Sequence, residues 1–263
     1  VTPSLRVIAP GLSTTVQDAG RVGWQRFGIP VSGALDRVAL AAANIVAGNA
    51  AGAAALECLY QGPTLEVEAG SARIAVAGFG ATLEVADGNG EFVRRMAALE
   101  SVTVKRGARA KVVIQGPGVS AYLAVEGGIA VPELLGSRST CARARLGGFE
   151  GRALISGDAV PLAALTAAAR DERRLPDLEL GPVDRLRVVL GPQDDHFTAK
   201  AIRALLNDTF KIAPISDRMG LRLTGPRLEH AKGFDIVSDG TVAGAIQVPG
   251  DGQPIILLAD RQT

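Results

Sequence analysis

The sequence predicts a mainly β protein with a few helices, built as barrels or sandwiches in two units. Short runs of apolar or alternating residues outnumber every other pattern, and that is the signature of strands buried on one or both faces. Glycine is abundant, at 32 residues, and falls between those runs where turns need it. The stretch GPTLE at 62–66 returns as GPRLE at 225–229. Each copy follows a helix-like stretch and then a strand-like one, which points to two related units.

In chain order the first predicted strand is 5–9. Residues 36–49, DRVALAAANIVAGN, then read as a helix: Asp36 can accept hydrogen bonds from the first free N–H groups, and Gly48 and Asn49 can end it. Strands follow at 64–68, 72–77, 81–85, 101–104, 111–114 and 121–125. The stretch 159–182, AVPLAALTAAARDERRLPDLELGP, shifts from small apolar residues to charge and proline and marks a boundary. It predicts an N-terminal barrel-like unit at 1–170 and a C-terminal unit at 171–263. The second unit opens with a strand at 186–190. A helix in DDHFTAKAIRALLND, 194–208, is capped by Asp194 or Asp195, with Phe197, Ile202, Leu205 and Leu206 as its apolar stripe. Strands at 221–224 and 255–259 complete the pattern, and the last delivers Asp260, Arg261 and Gln262.

Several function classes are excluded by what the chain lacks. A net charge of +1, with 21% charged residues, gives no electrostatic reason to expect nucleic acid or an anionic membrane as partner. The alanine-rich stretch 39–59 carries Asn44, Asn49 and Glu57, so it reads as helix and loop, not a membrane span. Cys58 and Cys141 read as buried free thiols, and no basic leader precedes an apolar core, so a cytoplasmic location is expected. His196 and His230 are isolated, with no HExxH and no cysteine pair, so no metal site is expected. No glycine precedes a lysine, so no P-loop motif offers a recognisable cofactor site. Neither a GxSxG elbow nor a Ser-Ser pair is present, which removes the standard hydrolase devices.

Four segments are too dense in polar residues to be ordinary turns. Residues 16–36, VQDAGRVGWQRFGIPVSGALD, carry Gln17, Asp18, Arg21, Ser32 and Asp36; pinning of a long loop by Asp-Arg pairing competes with a binding role. Residues 124–140 set Arg138 among Ser137, Ser139 and Thr140, a planar fork with added hydroxyl donors that suits a carboxylate or phosphate, or else a surface turn. GPQDDHF at 191–197 is followed by SDRMGLRLTGP at 216–226, where Asp217 and Arg218 point different ways and need separate partners. Residues 238–263 pack Asp239, Gln247, Asp251, Gln253, Asp260, Arg261 and Gln262 around apolar strand. Amides at that density can read a small polar substrate with carbonyl and N–H groups.

These segments together resemble the KipA, or allophanate hydrolase subunit 2, family. TTVQDAGRVGWQRFGIPVSGALD, AVEGGIAVPELLGSRST, RVVLGPQDDHF, SDRMGLRLTGP and SDGTVAGAIQVPGDGQPIILLADRQT carry the match, in order, over essentially the whole chain. The resemblance implies two cyclophilin-like β-barrel units and a KipI-type partner (allophanate hydrolase subunit 1). It also implies a LamB/YcsF-type subunit and a small-molecule substrate. Family members continue beyond the motif at the end of this sequence, so further chain is expected to complete the C-terminal unit. The activity implied is ATP-dependent opening of the 5-oxoproline lactam to glutamate, with ATP and Mg2+ used at the level of the complex. In that scheme Asp217, Arg218, Asp239 and Asp260 are the expected catalytic residues. Arg138, Gln247, Gln253, Gln262, Ser32 and Asp36 are the expected substrate-binding residues. The alternatives are the carboxyltransferase half of a urea carboxylase and a regulator that sequesters a KipI-like inhibitor of a histidine kinase.

Overall fold

Alternating burial folds the first part of the chain into two antiparallel sheets. The computed structural model describes residues 2–176, 178, 180–181, 183–237 and 239–261. β1 (Ser4–Ala9) and β2 (Ser13–Gln17) lead through a 3-10 turn at Gln25–Phe27 to α1 (Arg37–Ala47). There follow β3 (Ala55–Leu59), β4 (Thr64–Val67), β5 (Ser71–Ala77), β6 (Ala81–Ala86) and β7 (Phe92–Ala97). β8 (Ser101–Lys105), β9 (Arg109–Ile114), β10 (Ser120–Val125) and β11 (Ala159–Pro161) complete this part. One sheet runs β11-β1-β4-β9-β6-β7 and the other β2-β3-β10-β5-β8.

Strand parity explains both layers of the core. On β10, Ala121, Leu123 and Val125 join Leu5, Leu65, Leu83 and Val112 in the core between the sheets. The intervening Tyr122 and Ala124 face the other way, with Ala75 and Ala77 of β5, into a second cluster under α1. Small side chains on that outer face let the helix lie close, and α1 answers with buried Ala39, Leu40, Ala43, Val46 and Ala47. Asp36 caps α1 as the sequence predicts, its carboxylate accepting from the N–H groups of Val38 and Ala39, and Gly48 ends it in the left-handed conformation.

The remaining elements are α2 (Ala199–Asn207), β12 (Lys211–Ile212), β13 (Gly220–Thr224), β14 (Ile246–Gln247) and β15 (Ile255–Leu257). Their sheet runs β12-β13-β15-β14. The chain divides into two compact units: unit 1 is Val1–Arg21 with Ser32–Pro182, and unit 2 is Val22–Val31 with Val183–Thr263.

The protein is mainly β with few helices, as its sequence predicts, yet single elements depart from prediction. The helix at 194–208 starts later: Asp194–His196 forms a 3-10 turn, and Thr198 caps α2 by accepting from the N–H of Ala201. Residues 186–190 are not a strand. Leu186 and Val189 lie exposed there, because apolar strand-formers without a neighbouring ladder have nothing to hold them extended. The Gly-Pro echo is partial. Gly62 enters β4, whereas Gly225 leaves β13 into a bend. A Cβ at Gly62 would fall 2.5 Å from Val112, and one at Gly225 would fall 2.4 Å from the Phe210 ring, so both positions require glycine for close approach.

Candidate functional site

Unit 1 gathers residues 16–21 of the first polar segment and the second polar segment into one hydrogen-bonded knot. Asp18 follows directly on β2, and its Oδ1 accepts from the Gly20 N–H at 2.8 Å and from the hydroxyls of Ser137 at 2.7 Å and Ser139 at 2.5 Å. Its Oδ2 accepts from the Arg138 N–H at 2.6 Å. Both oxygens of the carboxylate are thus paired, three donors meeting Oδ1 and one meeting Oδ2. Arg21 is fully buried and donates from Nε to the Leu134 carbonyl and from Nη2 to the Ser139 carbonyl. Gln17 donates from Nε2 to the Thr140 carbonyl at 3.0 Å. The serines flanking Arg138 are therefore bound to Asp18, not held out to a ligand.

The Arg138 side chain is half exposed; its Nε donates to the Val131 carbonyl and its Nη1 lies 3.6 Å from Glu133. Ser32 is buried at a left-handed φ of 54°, and its hydroxyl has no hydrogen-bond partner among the described residues. Asp36 caps α1 through one oxygen, its Oδ1 accepting from the N–H groups of Val38 and Ala39. Its own N–H donates to the Tyr122 hydroxyl at 2.8 Å, which donates at 2.7 Å to the buried Glu57 carboxylate. Burial pushes the Cys58 thiol up to about 12, so it is no nucleophile at neutral pH.

Unit 2 contains an open arrangement. The end of β15 turns at Asp260, whose Oδ2 accepts from Arg218 Nε at 3.0 Å. The backbone repeats the link, since the Asp260 N–H donates to the Arg218 carbonyl at 2.9 Å. Asp217 and Arg218 do point different ways: Asp217 is exposed and its Oδ1 accepts from the Met219 N–H. Asp260 is 8% exposed, and its Oδ1 is buried with no hydrogen-bond partner among the described residues. Leaving a buried acceptor unpaired costs about 1–3 kcal/mol, so such an atom needs an explanation.

Arg261, next in the chain and equally buried, donates from Nε to the Thr241 carbonyl at 3.1 Å and from Nη1 to the Leu258 carbonyl. Thr241 in turn lines a cleft of about 910 Å³. That cleft brings together Asp217, Asp239 and Gln247, against an apolar wall that includes Phe197, Ile202 and Leu205. Arg218, Asp260 and Gln253 are not on its wall. Gln253 instead brackets one backbone unit, its Oε1 accepting from the Gly225 N–H and its Nε2 donating to the Gly225 carbonyl. Gln262 lies outside the described residues. Among the described residues no group of three or more His, Cys, Asp and Glu side chains could hold a metal ion. None of their helices is long and apolar enough to cross a membrane.

Sequence reasoning did not single out Glu57, Tyr122, Gln25 or Thr241. Glu57 carried a signal, a charge alternating with apolar residues on what proved to be a fully buried strand. Thr241 acts through its carbonyl, which no side-chain pattern reports.

The fold is mainly β, and residues 27–263 match the model of the carboxyltransferase domain, subdomain A and B; the chain belongs to that family. It is 36% identical to a 5-oxoprolinase component of Escherichia coli (strain K12) over 98% of this chain and 81% of that protein. The crystal structure of TTHA0988 superposes with a TM-score of 0.84 at 37% identity, covering 99% of this chain and 49% of that one. The Kluyveromyces lactis urea carboxylase gives a TM-score of 0.81 at 34% identity, covering 99% of this chain and 24% of that one. The chain thus spans about four fifths of the bacterial relative and half or less of these solved structures.

Proposed function

We propose that this chain is one component of an ATP-dependent complex that opens the 5-oxoproline lactam to glutamate. The observation that carries the reading is the Asp260 carboxylate, with one oxygen held by Arg218 and the other buried and unpaired among the described residues. A lactam offers an N–H to such an acceptor, which would orient the ring and relay a proton from the attacking water to the nitrogen as the bond breaks. The likeness to a bacterial 5-oxoprolinase component supports the choice of substrate. In the net reaction two waters are consumed: the lactam C–N bond breaks as one water's oxygen joins the carbonyl carbon and the nitrogen gains a proton, and the second water balances the cleavage of ATP to ADP and phosphate. ATP, with Mg2+, supplies phosphoryl activation of a stable amide, and its binding is assigned to the complex.

Within unit 2, Asp260 and Arg218 are the proposed reacting pair, Asp217 and Asp239 are proposed catalytic residues presented by the cleft, and Gln247 is proposed to bind substrate there. Gln253 and Gln262 are proposed to fix orientation, Gln253 through the Gly225 backbone. Ser32, Asp36 and Arg138 are proposed substrate-binding residues of unit 1. The proposed functional domains are 1–170 and 171–263, with a KipI-type and a LamB/YcsF-type protein as partners and a cytoplasmic setting.

The test is to purify the chain with those two partners and follow ATP-dependent loss of 5-oxoproline. Turnover that requires all three supports the reading; an assembled, folded complex that consumes neither ATP nor 5-oxoproline refutes it. A second reading, carboxyl transfer to urea, is favoured by the family description and the urea carboxylase likeness. Incubation with a carboxylated biotin carrier and urea separates the two.

A further inference from the structure

The 22–31 stretch belongs to unit 2, although it interrupts unit 1 in sequence. Its 3-10 turn at Gln25–Phe27 is closed by Gly28 in the left-handed conformation, which fixes the direction of the residues it carries. Gln25 donates from Nε2 to the Thr241 carbonyl at 3.1 Å. Arg261 donates from Nε to the same oxygen, also at 3.1 Å. A carbonyl oxygen has two lone pairs, and here one is taken from each side. Arg261 is preceded in the chain by Asp260, whose N–H is tied to the Arg218 carbonyl. Gln25 therefore stands two hydrogen bonds from the turn that carries the carboxylate oxygen without a partner among the described residues.

We infer that Gln25 is a positioning residue of the Asp260 site: through the Thr241 carbonyl it holds the Arg261 guanidinium, and with it the turn bearing Asp260. The inference rests on the reading of Asp260 proposed above. Its chemistry is specific to an amide donor. A glutamate at 25 would set a carboxylate against the Thr241 carbonyl oxygen and draw the nearby guanidinium off it. A methionine would keep the length and remove the donor. Neither change touches the core of the unit, because the 3-10 turn has no buried residue.

A built-in reporter makes the link measurable. Trp24 is the only tryptophan in the chain, and it adjoins Gln25. Its ring sits 5.9 Å from that of Phe27, with the Arg26 guanidinium 4.8 Å above the Phe27 ring. Tryptophan emission in this protein therefore reports the 24–27 turn alone.

The experiment has two arms. In the first, the acrylamide quenching of Trp24 is compared between the wild type and Arg261→Met, and again in the Gln25→Met background. The link predicts that losing Arg261 alters quenching in the wild-type background and not in the Gln25→Met background. Equal quenching with and without Arg261, or the same change in both backgrounds, overturns it. Arg261→Lys replaces Arg261→Met if the latter does not fold. In the second arm, the assembled complex carrying Gln25→Glu is assayed on 5-oxoproline. A kcat about tenfold lower with KM nearly unchanged is expected, because misplaced reacting groups slow the chemical step. A wild-type rate for Gln25→Glu overturns the inference. If the wild-type complex itself is inactive, the functional reading fails and the quenching arm alone decides the positioning claim.

Discussion

Asp18 in unit 1 and Asp260 in unit 2 sit in equally polar stretches of sequence, yet among the described residues one has both carboxylate oxygens paired and the other only one. Asp18 accepts four hydrogen bonds from three neighbouring loop residues and Gly20. Asp260 accepts from Arg218 on one oxygen, and its other oxygen is buried without a partner among the described residues. The difference separates a pin from a site. A closed set of hydrogen bonds fixes a loop and has no capacity for a ligand. An open buried acceptor is costly in the free protein and becomes favourable only when something supplies a donor.

The sharpest way to break this comparison is to remove the pin. Asp18→Ala leaves two hydroxyls and two N–H groups without their acceptor, and the expected loss is about 3 kcal/mol of unit 1 stability. The two tyrosines, Tyr60 and Tyr122, lie in unit 1 and the single tryptophan in unit 2. Urea unfolding read by tyrosine absorbance should therefore shift while the Trp24 transition stays in place.

Acid should act on the same side of the comparison. In unit 1, the Ser4 hydroxyl and Arg6 hold the Glu68 carboxyl below its ordinary value. Burial would raise Glu126, but Arg170, the Ala168 N–H and Arg73 outweigh it and hold it low. Arg152 does the same for Asp158, against its partial burial. Depressed folded values mean stability that is present above the ordinary values of 4.5 and 3.8 and is lost as pH falls through the folded ones. The tyrosine-detected urea midpoint should drop between pH 7 and about pH 3, and a flat profile would contradict the assignment.

Smaller effects sharpen the contrast in each unit. Gln253→Ala removes both bonds to Gly225 and should cost about 1–2 kcal/mol in the Trp24-detected transition. Arg138→Ala, which loses a half-exposed side chain with a 3.6 Å ion pair and one hydrogen bond to the Val131 carbonyl, should cost unit 1 no more than about 1 kcal/mol.

Much of this architecture is legible in the sequence because burial imposes a period. The cores of β5, β6 and β10 and the caps of α1 follow from local pattern and the chemistry of Asp36 and Gly48. β3 does not, because both its faces are buried, one against the sheet core and one against α1, so its alanine-rich start reads as more helix. β7 does not either, since its residues are almost all exposed and carry Arg94 and Arg95. In the site, the polar segments are visible as composition, and Asp260 and Arg218 stand out among them. Which aspartate has both oxygens paired is not visible. That depends on Ser137 and Ser139 arriving at Asp18 from more than a hundred residues away, and on no described residue arriving at Asp260 Oδ1.

Asp260→Asn tests the central claim most directly, with activity and stability measured on one preparation of the complex. The amide oxygen can still face Arg218, while the amide nitrogen turns the open acceptor into a donor. The account predicts a loss of about 100-fold in 5-oxoproline turnover, with the Trp24-detected stability within about 1 kcal/mol of wild type. Turnover equal to the wild type, or a loss that tracks unfolding of unit 2, would contradict it.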